Sequence, residues 1–248
     1  MSSKLEVTTK DEMVINGCDS ETYTLVLKNS VNNIRYELEN GDFHILVFND
    51  YDDDVEYNDF GYIKNGSLEI NYIDLNSHSL KQRTLINAYK GTSITINATY
   101  LGSNKKAVIY DLYNKESDSV INISNNIVCL DDGDFSIENI GNIDNGAKRS
   151  IHHQKTRCLT MGDPKKARVL PVLNINENDV EASHSLSSGT IDEDVLFYMN
   201  SRGLTKNESL QLLLVSYLMP SEDFYNDFPD GALIKDLAEK KVEKACLM

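Results

Sequence analysis

The sequence predicts a mainly β domain followed by a helical C-terminal segment. Three observations predict it. Short aliphatic runs separated by Asn, Asp and Gly recur from about residue 20 to 185, the mark of many strands joined by turns. In several runs apolar and polar residues alternate: Ser93-Ile-Thr-Ile-Asn-Ala-Thr and Ser119-Val-Ile-Asn-Ile-Ser put their aliphatics on one strand face. Near residue 190 the alternation gives way to capped segments with helical spacing.

Residues 1–20 are polar and read as an N-terminal tail, and residues 21–189 as the β core. Strands are predicted at Thr22–Lys28, Asn33–Leu38, His44–Phe48, Ser67–Leu75 and Arg83–Tyr89. They continue at Ser93–Leu101, Lys106–Leu112, Ser119–Ser124 and Asp134–Ile143. None of the four prolines precedes Met161, so long uninterrupted ladders are permitted in the first half. Such strands build a sandwich, a barrel or a solenoid; no strict repeat occurs, so a solenoid would be an irregular one.

Residues 190–248 form the helical segment. Asp192-Glu-Asp opens a helix that Gly203 closes, the polarity favoured by the helix dipole and a glycine C′ cap. Thr205-Lys-Asn-Glu208 is a capping box for a second helix, which Pro220 stops. A third, Gly231–Lys244, is amphipathic through Leu233, Ile234, Leu237 and Val242.

Composition excludes several classes of function. The 24 Lys+Arg against 39 Asp+Glu give −15 over 248 residues, the wrong sign for a generic nucleic-acid binder. Hydrophobic residues at 40% argue against disorder of the whole chain. Four cysteines (Cys18, Cys129, Cys158, Cys246) contain no C-x-x-C pair, which argues against a zinc ribbon or a cluster held by one chain's thiolates. No targeting segment and no run of eighteen apolar residues is present. Cys246, third from the last residue, is one position short of a prenylation box. The expectation is a reduced cytoplasmic protein with free thiols and no membrane contact. Phosphate-loop, G-x-S-x-G and H-E-x-x-H motifs are all absent, so ATP hydrolysis would belong to a partner.

One stretch is more specific. Pro171-Val-Leu, then Asn178-Asp-Val-Glu-Ala-Ser-His184, a small-residue run to Gly189, Asp192-Glu and Leu196-Phe-Tyr-Met-Asn-Ser-Arg-Gly203 follow in order. Together they resemble the C-terminal signature of the SufB/SufD scaffolds of iron–sulfur cluster assembly, and Gln154-Lys-Thr-Arg157 fits the preceding strand. The resemblance is specific from about 145 to 220. It implies a right-handed parallel β-helix followed by helices that dock on a SufC-like ABC ATPase. It also implies pairing with a SufB/SufD-type subunit, or with a second copy, and a transient iron–sulfur cluster formed between subunits without intrinsic turnover. The strand-rich part is shorter than in the usual bacterial members. SufB-type members carry a cysteine where this chain has Arg157, and SufD-type members carry arginine; Cys158 is the next residue, and one residue reverses a strand face.

The resemblance makes His184 the leading site residue, an imidazole suited to iron with Asp179 and Glu181 nearby in sequence. The alternative is a histidine capping the strand-to-helix junction. Cys158 is the second candidate. It lies within a basic island of Lys148, Arg149, Lys155, Arg157, Lys165, Lys166 and Arg168, and nearby cations favour the thiolate; the alternative is a small buried hydrophobe. His152 and His153 read as surface histidines, with a role as outer-shell partners of Cys158 the alternative. Leu210, Leu213, Leu214 and Tyr217 give the second helix an apolar face for the ATPase. The run Asp50-Tyr-Asp-Asp-Asp-Val-Glu56 lacks the spacing of a calcium loop and reads as a solvated loop. Cys18, Cys129 and Cys246 are bystanders, Cys246 in a frayed end, and Arg202-Gly203 is a helix terminus. A structural or adhesive solenoid without metal chemistry is the rival reading.

Overall fold

The computed structural model of the chain describes residues 2–8, 12–131, 133–162, 164 and 166–246. Two parallel sheets stack against each other, and the chain alternates between them at every strand. The first sheet contains β1 (Ser2–Thr8), β3 (Glu21–Leu27), β5 (Gly41–Asn49), β7 (Gly66–Asp74), β9 (Ser93–Gly102), β11 (Val120–Cys129), β13 (Ser150–Thr160) and β15 (Val180–Thr190). The second contains β2 (Glu12–Gly17), β4 (Val31–Leu38), β6 (Val55–Ile63), β8 (Leu80–Ala88), β10 (Lys105–Asn114), β12 (Asp134–Ile143) and β14 (Lys166–Ile175). This is a parallel β-solenoid, so of the three architectures open to the sequence the solenoid is the one adopted.

The strands read from sequence lie within a few residues of those observed. Two regions differ. Residues 1–20, read as a tail, carry β1 and β2, which pair in register with β3 and β4. Only Met13 and Ile15 supply β2 with buried apolar residues, too short a pattern to register as a strand. The acidic run is not wholly a solvated loop either: Tyr51 is buried, and Val55-Glu56 opens β6.

Register stacks like positions on like. Gly41 and Gly66 face each other at the starts of β5 and β7, with φ of +123° and +108°. A Cβ on Gly66 would lie 2.0 Å from the Gly41 carbonyl oxygen, so both the turn and the close stacking require glycine there. Inside, aliphatic and tyrosine side chains from both sheets fill the space: Tyr36, Tyr57, Tyr72, Tyr100 and Tyr110 are buried. Their hydroxyls need partners. Tyr100 OH lies 2.6 Å from Tyr110 OH and donates to Gln82 Oε1 at 2.8 Å. Asp59 accepts from Thr84 Oγ1 at 2.5 Å and from the hydroxyls of Tyr72 and Tyr36. Asp74 accepts from Asn49, Tyr51 and the Lys106 ammonium, and neither member of the Lys106–Asp74 ion pair reaches solvent.

Helices α1 (Glu193–Ser201), α2 (Lys206–Leu218), α3 (Glu222–Asn226) and α4 (Gly231–Cys246) follow. The capping box at Thr205 and Glu208 is formed, and Gly203 takes φ +100° beyond α1. The segment folds back over the outer face of the first sheet. Leu214, Leu218, Ile234, Ala238 and Val242 pack on Val26, Phe48, Ile73, Leu101 and Val128. Thr24 Oγ1 donates to Pro229 O at 2.8 Å, and Lys241 Nζ reaches Asp50 at 2.9 Å and Asn76 at 2.6 Å. Leu233, read as part of the apolar stripe, is exposed, and Cys246 is half-buried in this second core rather than frayed. Among the described residues no helix is long and apolar enough to cross a membrane.

Burial raises the Asp59 carboxyl to about 6, against the pull of its hydroxyl donors. The folded chain therefore holds this proton at higher pH than the unfolded chain, whose value is near 4. The associated stability is fully present below about 4 and is lost as pH rises through about 6. Two pKa units correspond to about 3 kcal/mol. Asp59→Asn is expected to be more stable than wild type above pH 6 and to lose that advantage below pH 4, read as urea midpoints across the range. A difference independent of pH would show that Asp59 is ionised in the fold throughout.

Candidate functional site

The last rung leaves the interior open. β14 and β15 form the final edges of their sheets, so each has one side of its backbone without a strand partner. On β13 the burial alternates: His152, Gln154, Thr156 and Cys158 face inward, and Lys155 and Arg157 face out. Register carries that phase onto β15. Ala182 faces His152, His184 faces Gln154, Leu186 faces Thr156 and Ser188 faces Cys158. These positions would be core in any earlier rung. Here Leu186 is 48% exposed, and His184 and Ser188 are exposed as well. A cavity of about 750 Å³ opens at this end, lined by Cys158, Ala167, Val169, Leu186 and Ser188 among others.

His184 thus stands on the interior face of an uncovered strand, within β15 and six residues before its end. Glu181, three residues away and so an odd separation, faces the other side. Its carboxylate meets His153 Nε2 at 3.3 Å, and His153 Nδ1 lies 2.7 Å from Ser183 Oγ. Glu181 and His184 therefore do not converge. Asp179 lies in the turn before β15, where its carbonyl accepts the Arg149 N–H.

Cys158 is also on the interior face and only 3% exposed, among core side chains. Of the cations expected to activate it, Arg168 lines the same cavity, and several others point elsewhere. Lys155 and Arg157 face outward, and Arg157 lies 4.9 Å over the Tyr217 ring. Arg149 makes two 2.7 Å hydrogen bonds to Asp118, and Lys166 pairs with Asp134 at 3.8 Å. Lys165 lies outside the described residues. Burial accordingly raises the Cys158 thiol, the reverse of the thiolate expectation. Cys129, buried nearby, is pushed up to about 11 by burial, with Cys158 adding to it. Cys158 and His184 are separated by four residues along the strand direction, about 13 Å, and by one rung. One metal ion cannot bridge them within a chain. Among the described residues no group of three His, Cys, Asp or Glu could hold a metal.

His152, read as a surface residue, is fully buried. Sequence reasoning missed it, although the phase was available: once Lys155 and Arg157 are placed outside, His152 and Gln154 must face inside. Burial lowers its imidazole to about 4, and neighbouring His153 contributes. On α2, Leu214 is buried against the first sheet, and Leu210, Leu213 and Tyr217 are half-buried. The exposed apolar side chains of this region are instead Val195, Phe197 and Tyr198 of α1, with Leu212 of α2. The sequence resemblance drew attention to α2, but its apolar face is the one that seats it on the solenoid.

Residues 14–217 match the family model described as SUF system FeS cluster assembly, SufBD core domain. The chain is 32% identical over 119 residues to the iron–sulfur cluster assembly protein SufD of Bacillus subtilis, which covers 47% of this chain and 26% of that protein. SufD of Escherichia coli is 32% identical over 59 residues, 24% of this chain and 14% of the relative. A SufBD family protein of Pyrococcus horikoshii is 31% identical over 74 residues, 30% and 17% of the two chains. The matched segments thus span about a quarter or less of these relatives.

Two outcomes are expected. In native protein treated with iodoacetamide, exposed Cys18 reacts first, and Cys129 and Cys158 react roughly tenfold more slowly or less; fast labelling of Cys158 mapped by mass spectrometry would contradict its burial. Stability owed to neutral His152 is present above about 6.5 and is lost as pH falls through about 4. It opposes the Asp59 trend over the same window, so His152→Asn is expected to become less stable as pH rises from 4 to 6, and Asp59→Asn more stable.

Proposed function

Because the chain belongs to the SufBD core family, we propose that it is a non-catalytic scaffold subunit of a SUF-type iron–sulfur assembly complex. In this reading it works in a reducing cytoplasm and binds a SufC-like ABC ATPase through the helical segment after residue 190. It pairs through the open end of the solenoid with a SufB/SufD-type subunit or with a second copy of itself. A nascent cluster, the cargo of the complex, forms across that junction, and ATP is used by the partner alone.

The observation that carries the proposal is the uncovered last rung. Two edge strands present unpaired backbone groups, and the interior positions of β15 meet solvent. Edges of this kind are templates for another chain, and a second subunit would satisfy the ladder and bury Leu186. His184 is the ligand this chain brings to the junction. Cys158 lies under Ser188 at the floor of the open cavity and would need the end of the solenoid to loosen before its sulfur reached a metal. Glu181, on the outer face with His153, would serve the cluster only by leaving that pair. A cluster shared between chains fits a sequence whose cysteines are too scattered to hold one alone. For the ATPase, Val195, Phe197 and Tyr198 supply the accessible apolar surface, joined by the exposed parts of Leu210, Leu213 and Tyr217, with Leu214 holding α2 in place.

Co-expression with a SufC-like ATPase should give a complex that survives size-exclusion chromatography, and anaerobic reconstitution of that complex should yield bound iron and sulfide. His184→Ala is expected to lower the iron content severalfold with the complex intact. Cys158→Ser separates a sulfur ligand from a core residue: retained cluster would remove it from the ligand set. A chain that captures no ATPase and gains no iron or sulfide would leave the rival structural module standing.

A further inference from the structure

The middle rungs of the solenoid are filled by phenols that the scaffold reading gives no role. Tyr36, Tyr57, Tyr72, Tyr100 and Tyr110 are buried there, none more than 1% exposed. Phenylalanine would fill nearly the same volume with no hydroxyl to satisfy.

These side chains form one connected array. Register stacks Asp59, Thr84 and Tyr110 in a single column of the second sheet, and Tyr72 of β7 and Tyr100 of β9 reach it from the first sheet. Tyr72 OH donates to Asp59 Oδ2, Thr84 Oγ1 donates to Oδ1 at 2.5 Å, and Tyr36 OH lies 3.5 Å from Oδ2. The ring centroids of Tyr72 and Tyr110 are 5.9 Å apart, the hydroxyls of Tyr110 and Tyr100 2.6 Å, and the rings of Tyr100 and Phe135 5.7 Å. Toward the other end, Asn49 Nδ2 donates to Tyr57 OH at 3.4 Å and to Asp74 at 2.9 Å, and Asp74 also accepts from Tyr51. Tyr51 lines a cavity of about 60 Å³ beside the last turns of α4.

A phenol that loses an electron becomes a strong acid, so a buried tyrosine is readily oxidised only where a base within hydrogen-bond reach takes its proton. We propose that Tyr72 and Asp59 form a proton-coupled redox site, fed by the tyrosine array. A one-electron oxidant takes an electron from Tyr72 and is itself reduced. The Tyr72 O–H bond breaks, an O–H bond forms on the Asp59 carboxylate, and a neutral phenoxyl radical remains. The step discharges a buried carboxylate and creates no buried cation, which the apolar interior favours. Hydroxyl radical, made from iron(II) and hydrogen peroxide, is an oxidant of this class and would leave as hydroxide. Naming it rests on the function proposed above; the site itself does not.

The site has a pH dependence of definite sign. With Asp59 raised to about 6, its carboxylate is free to accept a proton above that value and already holds one below it. The ionisable groups facing it are the phenols of Tyr36, Tyr57, Tyr72 and Tyr110, all kept neutral by burial. The Lys106–Asp74 pair lies beyond Asn49.

Oxidation of the full-length chain by photogenerated tris(bipyridine)ruthenium(III), followed by electron paramagnetic resonance, tests the site. Radicals on exposed tyrosines couple with one another and decay, whereas one held in the interior outlives them. A long-lived tyrosyl signal is expected at pH 8, with a yield about tenfold lower at pH 5, where roughly a tenth of Asp59 is ionised. Tyr72→Phe and Asp59→Asn each keep the core volume, and each should abolish the long-lived signal. Tyr198→Phe, on the exposed face of α1, should leave it unchanged. No long-lived signal, the same signal in both core variants, its loss in Tyr198→Phe, or equal yields at the two pH values would overturn the proposal. ATPase capture, measured on the same preparation, reports separately on the scaffold reading: its failure with the radical intact would overturn that reading and spare the site.

Discussion

The parallel hydrogen-bond ladder is the constraint on which the rest of the structure depends. Each strand satisfies its backbone only by lying directly on the strand one rung below. That requirement makes register exact, and exact register makes columns. Gly41 sits under Gly66, Cys158 under Ser188 and Gln154 under His184 because the backbone leaves them no alternative. It also means that a solenoid cannot close on itself. Its unsatisfied groups are deferred to the two ends, and the chemistry of an end is whatever the last column positions bring to it.

The same constraint explains the polar interior. A column position cannot move its side chain to the other face, so a polar residue that falls on the inner phase must find its partners inside. Asp59 does so with three hydroxyls, and Asp74 with Lys106, Asn49 and Tyr51. Removing either member of a buried ion pair typically costs about 3–5 kcal/mol, because the other is left charged and unpaired. The earlier rungs thus pair their buried charges thoroughly. Among the described residues, buried acceptors without donors remain at Asn49 in β5, Asn125 in β11 and Gln154 in β13.

Much of this was legible in the sequence. Alternation located most strands, and the capping box at Thr205 and Glu208 located α2. The family signature from Pro171 to Gly203 selected the solenoid over a sandwich or barrel, which alternation alone leaves open because all three share a period of two. What escaped was the phase of β13. A basic island around Cys158 suggested an activated thiol, yet Lys155 and Arg157 lie on the opposite face, and charges across a strand do not act as neighbours. The same error of phase grouped Glu181 with His184 and left His152 on the surface. Sequence proximity within a strand misleads at every odd separation, and three of the site readings depended on an odd separation.

The end of the solenoid also shows why two candidate ligands need not serve one ion. Cys158 and His184 share a face, but four residues of strand separate their positions, and ligands at that distance belong to different metals or different moments. His184 is already exposed. The Cys158 thiol is buried and held protonated, so its use requires both access and loss of a proton.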